Sequence, residues 1–219
     1  MSKIRGLIFD LDGVIVSTEK NHYDAWKNIA DQLSIFFDEK INENLKGLSR
    51  NDSLKFLLEL EGRKISEKEF KNYLSLKNEI YLKSIENINS NDLLFGVLDF
   101  IIKMHSENYK LAIGSSSKNA KFIVKKTNLY KYFTSIIDGN SVSNPKPHPE
   151  VFLNAAMEIK LNPNECIVFE DAISGVNAAQ KGNFNVIGVG NIELKDKCDF
   201  FINNFKEFDL RKYEKSIRN

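Results

Sequence analysis

Several features that would signal particular protein classes are scarce in this chain of 219 residues. It has only two cysteines, Cys166 and Cys198, and their spacing fits neither a disulfide framework nor a metal or redox motif. The net charge is +1, which provides no bulk attraction to nucleic acid or to a membrane surface. No apolar run approaches the roughly 18 residues that a membrane span needs, and the N-terminal run is too short for a signal peptide. We therefore expect a cytoplasmic protein that binds neither nucleic acid nor membranes.

Short apolar runs alternate with segments of helical periodicity along most of the chain. Continuous runs of this kind, bounded by polar residues or glycine, are typical of strands buried on both faces of a sheet. The expected strands are 6–9, 110–114, 135–138, 166–170, 185–190 and 199–202. The expected helices between them are 97–106, 119–127, 150–159 and 172–181. This alternation predicts an α/β fold with a Rossmann-like parallel sheet that is covered by helices on both sides.

One long segment lacks a convincing strand. Helical patterns fill it at 18–33, 39–46, 50–61 and 67–86. Because this segment follows directly on the first strand, we expect an α-helical domain inserted into the α/β core. The expected core domain comprises residues 1–16 and 92–219, and the expected helical domain comprises residues 17–91.

The first expected strand ends in two aspartates. In the stretch GLIFDLDG, Asp10 and Asp12 are two positions apart, so their side chains point to the same side of an extended chain. Such a pair also occurs in nucleotide-sugar transferases and in calcium loops, but Val14 stands where a calcium loop needs its next ligand. Ligand sites of open α/β sheets form outside the carboxyl ends of the strands. The other strand ends should therefore carry the rest of the site.

Those strand ends carry residues that suit phosphate chemistry. The stretch SSSKN, residues 115–119, offers hydroxyls and backbone N–H groups to an anion. Lys146 stands between two prolines, which stiffen the backbone that carries its charge. Glu170 and Asp171 end the run at 166–170. Each feature alone could be a polar loop, a rigid turn or an acidic helix start, but their joint occurrence at strand ends favours one site.

Four carboxylates at one site would repel one another strongly. A hard divalent cation relieves such repulsion, and Mg²⁺ keeps room for phosphate oxygens among its ligands. The group therefore indicates Mg²⁺-dependent phosphoryl transfer, in which one aspartate attacks phosphorus and the other moves a proton.

With these motifs together, the chain resembles the haloacid dehalogenase superfamily of phosphotransferases. The motifs are FDLDG, IGSSS, PKPHP and FED, and the resemblance covers the whole chain, including the inserted helices. It implies that Asp10 is the nucleophile and that Asp12 is the general acid and base. It also implies that Ser115 and Lys146 hold the transferring phosphoryl group. The implied Mg²⁺ ligands are Asp10, the backbone carbonyl of Asp12, Glu170 and Asp171.

The inserted helices are similar to those of the β-phosphoglucomutase family within that superfamily. The similar stretches are TEKNHYDAWKNIA, LKGLSRNDSL and LKNEIYLKSI. By this resemblance, His22 and Lys77 couple closure of a helical cap to the placement of Asp12. Arg50 would grip the phosphate that is not reacting. The other implied substrate contacts are Thr18, Trp26, Lys46, Gly47, Ser49, Ser117, Lys118 and Asn119.

Two positions beside the chemistry depart from that family's pattern. Val16 and Ser17 precede Thr18, where an acid is common, and Ala172 follows FED, where a serine is common. Both departures lie near the expected site rather than in its motifs. They therefore bear on the substrate more than on membership of the superfamily.

The resemblance implies an enzyme that interconverts β-D-glucose 1-phosphate and glucose 6-phosphate through β-glucose 1,6-bisphosphate. The alternative within the same fold is a sugar-phosphate phosphatase, in which water completes the reaction. A third hypothesis is a non-catalytic phosphoacceptor or sugar-phosphate-binding regulator, which catalytic turnover would exclude. We expect a monomer whose partner is a small-molecule sugar phosphate.

Overall fold

A parallel sheet forms the centre of the computed structural model, which describes residues 3–206 and 208–216. The strands are β1 (Gly6–Phe9), β2 (Lys110–Gly114), β3 (Ser135–Ile137), β4 (Cys166–Glu170), β5 (Asn185–Val189) and β6 (Phe200–Ile202). Their order in the sheet is β3-β2-β1-β4-β5-β6, and every neighbouring pair is parallel. The chain changes direction across the sheet between β1 and β4, which is where open α/β sheets place their ligands.

Helices cover both faces of this sheet and also form a separate layer. They are α1 (Glu19–Gln32), α2 (Glu39–Glu43), α3 (Arg50–Leu60), α4 (Glu67–Ser84), α5 (Val97–Ser106), α6 (Ala120–Lys126), α7 (Glu150–Glu158), α8 (Ile173–Lys181) and α9 (Leu210–Ser216). The expected α/β fold with a parallel sheet is confirmed, and the expected strands and helices differ from the observed ones only near their ends. Within the described residues, no helix is both long enough and apolar enough to cross a bilayer.

The alternation of side chains along β1 divides the core between the two faces of the sheet. Leu7 and Phe9 belong to the cluster that includes α5 and α6, whereas Ile8 belongs to the cluster that includes α7 and α8. Phe9 stacks on Phe169 of β4 with ring centres 4.8 Å apart. Because β1 and β4 are apolar on both faces, their ends are fixed rigidly relative to each other.

The four helices α1 to α4, which we call the helical insert, have an apolar cluster of their own. Trp26 and Ile29 of α1 pack there with Leu54 and Leu57 of α3. The start of α4 is fixed by a capping box, in which Ser66 and the residue three positions later bond each other's backbone N–H groups. The insert therefore has the internal packing to hold its side chains in fixed positions.

Two adjacent chain segments connect the helical insert to the sheet. Val16 forms an isolated bridge with Leu93, and the Ser17 N–H donates to the Asp92 carbonyl at 3.0 Å. The segments that lead into and out of the insert thus lie side by side. This arrangement confines the connection to one short seam beside the end of β1.

Candidate active site

The carboxyl ends of the central strands bring the reactive side chains to one edge of the sheet. Asp10 follows β1, Ser115 follows β2, and Glu170 ends β4 with Asp171 behind it. Lys146 enters from the loop before α7, and its Nζ lies 2.5 Å from Asp10 Oδ1 and 2.5 Å from Glu170 Oε1. Burial alone would lower the pKa of Lys146, but the two carboxylates outweigh burial and raise it. The lysine is therefore held as a buried cation.

One ammonium ion is too little positive charge for the carboxyl groups around it. Burial raises the pKa of Asp10 to about 7, together with repulsion from Glu170 and Asp12 and against the attraction of Lys146. Burial and repulsion from Glu170 and Asp10 raise the pKa of Asp171 well above its usual range. A further cation at this edge would favour the ionised forms of both aspartates.

Two glycines allow these carboxylates to approach the backbone closely. A Cβ atom at Gly13, where φ is +84°, would lie 2.1 Å from Asp171 Oδ2. A Cβ atom at Gly175 would lie 1.7 Å from Glu170 Oε1. Any side chain at either glycine would therefore displace a carboxylate of the site.

The predicted metal ligands fit a hard cation better in their chemistry than in their arrangement. Asp10 and Asp171 offer buried carboxylate oxygens, which Mg²⁺ prefers. Both oxygens of Glu170 are engaged, one by the buried ammonium and the other by the Ala172 N–H at 2.9 Å. Across residues 3–206 and 208–216, no group of three or more His, Cys, Asp or Glu side chains is gathered closely enough to hold a metal ion. The Mg²⁺ site thus stays a prediction, in which Glu170 would use a lone pair that its present hydrogen bonds leave free.

Asp12 is held by hydroxyl groups beside the helical insert. Its Oδ1 accepts a hydrogen bond from the Thr18 hydroxyl and a longer one, at 3.3 Å, from the Tyr81 hydroxyl. Burial alone would raise the pKa of Asp12, but interactions with His22 and Thr18 outweigh burial and lower it. Asp12 is therefore ionised, which is the state that a general base requires.

A lysine orients the imidazole that faces Asp12. Lys77 Nζ lies 2.8 Å from His22 Nδ1, and His22 Nε2 lies 3.5 Å from Asp12 Oδ1. When Lys77 is protonated it can only donate, so in that state Nδ1 accepts and the proton of a neutral ring sits on Nε2, which faces the carboxylate. Burial, followed by the charge of Lys77, lowers the pKa of His22 and so favours this neutral tautomer. The three side chains connect α4 through α1 to the end of β1.

Lys77 itself is buried between two aromatic rings. Its Nζ lies 5.1 Å from the centre of the Trp26 ring and 4.7 Å from the centre of the Tyr81 ring. Tyr81 also packs against His22, with ring centres 4.0 Å apart. Burial lowers the pKa of Lys77 to about 7. This lysine therefore changes its charge near neutral pH, which an ordinary exposed lysine does not.

The start of α3 places a guanidinium in the same cavity. Arg50 is partly buried, and it lines the cavity together with Asp10 and Lys118. Its Nη2 donates to Asn78 Oδ1 at 2.7 Å. In the part of the chain that the structure describes, no carboxylate lies within ion-pair distance of Arg50. Burial lowers the pKa of this group, and its charge can be met by an anionic group of a ligand.

Lys46, in contrast, already has two carboxylate partners. Its Nζ lies 2.8 Å from Glu19 Oε1 and 3.0 Å from Glu43 Oε1. Partial burial would lower the pKa of Lys46, but the two glutamates outweigh it and raise the pKa. The charge of Lys46 is thus compensated before any ligand binds.

Two serines beside the sheet edge bind the turn at residues 46–47 of the helical insert through hydrogen bonds. Ser116 Oγ donates to the Gly47 carbonyl at 2.8 Å, and Ser174 Oγ donates to the Lys46 carbonyl at 3.0 Å. Gly47 has a φ of +73°, and a Cβ atom there would lie 2.2 Å from Ser174 Oγ. We call these two hydrogen bonds the serine clasp. It holds the helical insert against the loop that follows β2 and against the first turn of α8.

Most of the predicted site residues meet in the cavity between the helical insert and the sheet edge. Those that line it are Asp10, Asp12, His22, Trp26, Lys46, Gly47, Arg50, Lys77, Ser115, Ser117, Lys118, Asn119 and Asp171. Four predicted residues lie outside this lining, namely Thr18, Ser49, Lys146 and Glu170. Thr18, Lys146 and Glu170 each bond a residue of the site, as described above. Ser49 instead caps α3 by accepting the Asp52 N–H at 3.2 Å, and it lines a neighbouring cavity.

Sequence reasoning missed several residues of this cavity. They are Glu19, Asn42, Leu45, Leu48, Ser53, Asn78, Tyr81 and Ser116. Helical spacing could have indicated Tyr81, because it lies four positions after Lys77 and so shares its face of α4. Ser116 belongs to the SSSKN stretch but was given no role of its own. No local pattern marks Asn78, since its partners are distant in the sequence.

Comparison with protein families gives one match over most of the chain. The profile of the haloacid dehalogenase-like hydrolase family matches residues 7–189. A β-phosphoglucomutase from Bacillus subtilis (strain 168) is 36% identical over 189 residues, which cover 85% of this chain and 84% of that protein. A fructose-1-phosphate phosphatase from Escherichia coli (strain K12) is 26% identical, over 84% of this chain and 95% of that protein.

A solved structure is similar over nearly the whole chain. The crystal structure of β-phosphoglucomutase from Clostridium difficile superposes with a TM-score of 0.93 at 37% sequence identity. The match covers 99% of this chain and 100% of that one. The similarity therefore includes the helical insert as well as the sheet.

Because burial lowers the pKa of Lys77, we expect Lys77→Met to be more stable than the wild type by an amount that depends on pH. The folded protein holds this lysine at a pKa of about 7 against a usual 10.5, so the unfolded chain binds more protons between these values. The wild type should therefore lose stability relative to Lys77→Met as pH falls from 10 to 7, by up to about 1.4 kcal/mol per pH unit. Below pH 7 the difference should stay constant. Urea unfolding at several pH values measures it, with Lys83→Met, at an exposed position of α4, as control. Parallel stability curves for Lys77→Met and the wild type would contradict the assignment.

The serine clasp predicts that Ser116→Ala with Ser174→Ala loosens the turn at residues 46–47. Each lost hydrogen bond contributes about 0.5–1.5 kcal/mol, so the turn should open about 5-fold to 150-fold more often. Amide hydrogen exchange of residues 44–49 measures this opening, with exchange in β1 and β4 as the internal reference. Unchanged exchange at the turn in the double variant would show that the clasp does not hold the insert.

Proposed function

Because the chain belongs to the haloacid dehalogenase-like hydrolase family, we propose that it is a phosphoryl-transfer enzyme with Asp10 as its nucleophile. The proposed reaction is the interconversion of β-D-glucose 1-phosphate and glucose 6-phosphate. The observation that carries this choice is Arg50, which lines the cavity of Asp10 without a carboxylate partner among the described residues. A hexose bisphosphate needs such a second cation, whereas hydrolysis of a simple monophosphate does not.

The proposed reaction has two phosphoryl transfers through Asp10. In the first, a sugar hydroxyl oxygen attacks the phosphorus of the aspartyl phosphate, its bond to Asp10 breaks, and Asp12 accepts the hydroxyl proton. The resulting bisphosphate turns round in the cavity. Asp10 then attacks the other phosphate, and Asp12 returns the proton to the sugar oxygen that leaves. Arg50 binds whichever phosphate is not reacting.

The charges at the sheet edge would hold the transferring group in line. Lys146 Nζ lies 2.5 Å from Asp10 Oδ1, so its charge can neutralise phosphoryl oxygens there. The Ser115 hydroxyl can donate a hydrogen bond to the same oxygens. Asp10, the Asp12 carbonyl, Glu170 and Asp171 would bind Mg²⁺, which supplies further charge neutralisation at the phosphoryl group when bound. Positioning and charge neutralisation are the main requirements of such transfers.

The helical insert would act as a cap over this edge. We propose that residues 17–91 form the cap and that residues 1–16 and 92–219 form the core. The seam between Val16 and Leu93 would be the hinge. A closed cap excludes water from the aspartyl phosphate. It also completes the site, because it brings His22 and Lys77 to Asp12.

A sugar-phosphate phosphatase is the second candidate. Phosphatases are among the relatives, such as those of Escherichia coli and Thermotoga maritima at 26% and 27% identity. The same Asp10 chemistry would serve both reactions, with water in place of the sugar hydroxyl. A monomeric state and a cytoplasmic location stay predictions from the sequence.

The proposal is tested by following two products in one sample. Purified protein receives Mg²⁺, β-glucose 1-phosphate and a trace of β-glucose 1,6-bisphosphate, and glucose 6-phosphate and free phosphate are measured together. We expect glucose 6-phosphate to form with little free phosphate, because the closed cap excludes water. Asp10→Asn should abolish the formation of both products, whereas Asp24→Asn, on the exposed face of α1, should retain it.

Two results would change this assignment. Free phosphate without glucose 6-phosphate would make the protein a phosphatase. The absence of turnover with a range of sugar phosphates would favour a phosphoacceptor or binding protein.

A further inference from the structure

Asn78 joins three chain segments at one end of the cavity. Its Oδ1 accepts a hydrogen bond from Arg50 Nη2 at 2.7 Å and another from Asn119 Nδ2 at 3.0 Å. Asn78 belongs to α4, Arg50 begins α3, and Asn119 precedes α6 of the sheet domain. A single amide oxygen thus spans the boundary between the helical insert and the loop that follows β2.

The chemistry of the partners fixes the orientation of this amide. A guanidinium and an amide NH₂ group can only donate, so the atom between them must be an acceptor with two free lone pairs. The carbonyl oxygen of Asn78 meets that requirement. An amide oxygen also carries no net charge, so it orients Arg50 and leaves its positive charge uncompensated.

Neighbouring residues of α4 serve opposite ends of the cavity. Lys77 contacts His22 beside Asp12, whereas Asn78 contacts Arg50 and the loop at 115–119. Successive positions of a helix differ by about 100° in direction. One turn of α4 therefore contributes to both the reacting end and the distal end of the cavity.

We propose that Asn78 is the positioning residue of the distal anion subsite, and that it selects substrates that carry a second anionic group. This inference deepens the proposed function and rests on it. The hydrogen bond to Arg50 lies within the helical insert, whereas the bond from Asn119 forms only when the insert lies over the loop after β2. In that closed arrangement the amide connects the oriented guanidinium to the sheet edge. Closure and recognition of the second anionic group are thereby linked through one side chain.

Replacing Asn78 should weaken binding of the sugar bisphosphate more than it slows the hydrolysis of p-nitrophenyl phosphate, a compact substrate. For Asn78→Ala we expect the dissociation constant of β-glucose 1,6-bisphosphate to rise about 10-fold to 100-fold, as for other hydrogen bonds to charged groups. All binding is measured by titration calorimetry with Mg²⁺ present and in the Asp10→Asn background, which prevents phosphoryl transfer. KM for glucose 6-phosphate formation should rise more than kcat falls. The loss in p-nitrophenyl phosphate hydrolysis should be much smaller, since that substrate has no second anionic group. Equal losses for both substrates would overturn the proposal.

Asn78→Asp distinguishes two roles of Asn78. One is to orient Arg50 without neutralising its charge, and the other is only to attach the insert to the loop after β2. An aspartate can accept from both donors and so would restore a tether, but its charge would neutralise Arg50 and repel the ligand. We expect Asn78→Asp to bind β-glucose 1,6-bisphosphate more weakly than Asn78→Ala. Binding restored to the wild-type level by the aspartate would show a structural tether and contradict the proposal.

A double-variant cycle tests whether Asn78 acts through Arg50. In the Arg50→Ala background, Asn78→Ala should have little additional effect on binding of β-glucose 1,6-bisphosphate, because the group that it positions is gone. Fully additive effects would contradict the proposal. Asn28→Ala, at an exposed position of α1, is the matched control and should bind like the wild type. The readout is binding, so the two proposals can fail separately. A protein that binds in this way but forms no glucose 6-phosphate would contradict the proposed mutase activity and still support the distal subsite.

Discussion

The contact of the Lys146 ammonium with Asp10 and Glu170 is the interaction on which the site depends. It ties β1 and β4 to the loop before α7 at the point where the sheet changes direction. Loss of one partner from such a buried group leaves an uncompensated charge, which typically costs about 3–5 kcal/mol. The same contact leaves the neighbouring carboxyl groups short of positive charge, as the raised pKa of Asp171 shows. The sheet edge is thus prepared for a cation and for the charge of a phosphoryl group.

The helical insert contributes what that edge lacks. Its α1 and α4 bring an oriented imidazole to Asp12, and its α3 brings the guanidinium of Arg50. Polar contacts with the loop after β2 and with the start of α8, including the serine clasp, hold the insert in this position. Such contacts are individually weak, so an insert held by them can both close and release. This property suits a reaction in which a bisphosphate must turn round while water is kept away.

The sequence predicted the sheet and its reactive edge well, because both are encoded locally. The strands are short apolar runs, and Asp10, Ser115 and Glu170 stand directly at their ends. Contacts between distant segments could not be predicted in this way. The bonds of Asn78 to residues 28 and 41 positions away, and those of the serine clasp, depend on how the insert docks. Its docking is set by the apolar packing of four helices and by the seam, which no local pattern records.

The central claim is that Asp10 carries the phosphoryl group, and covalent trapping tests it most directly. Protein mixed with β-glucose 1,6-bisphosphate and Mg²⁺ is quenched in acid within one turnover, digested, and analysed by mass spectrometry. The account predicts one phosphoryl group per chain, on the peptide that contains Asp10, and its release by hydroxylamine as expected of an acyl phosphate. A phosphoryl group on any other residue, or turnover that continues in Asp10→Asn, would contradict it.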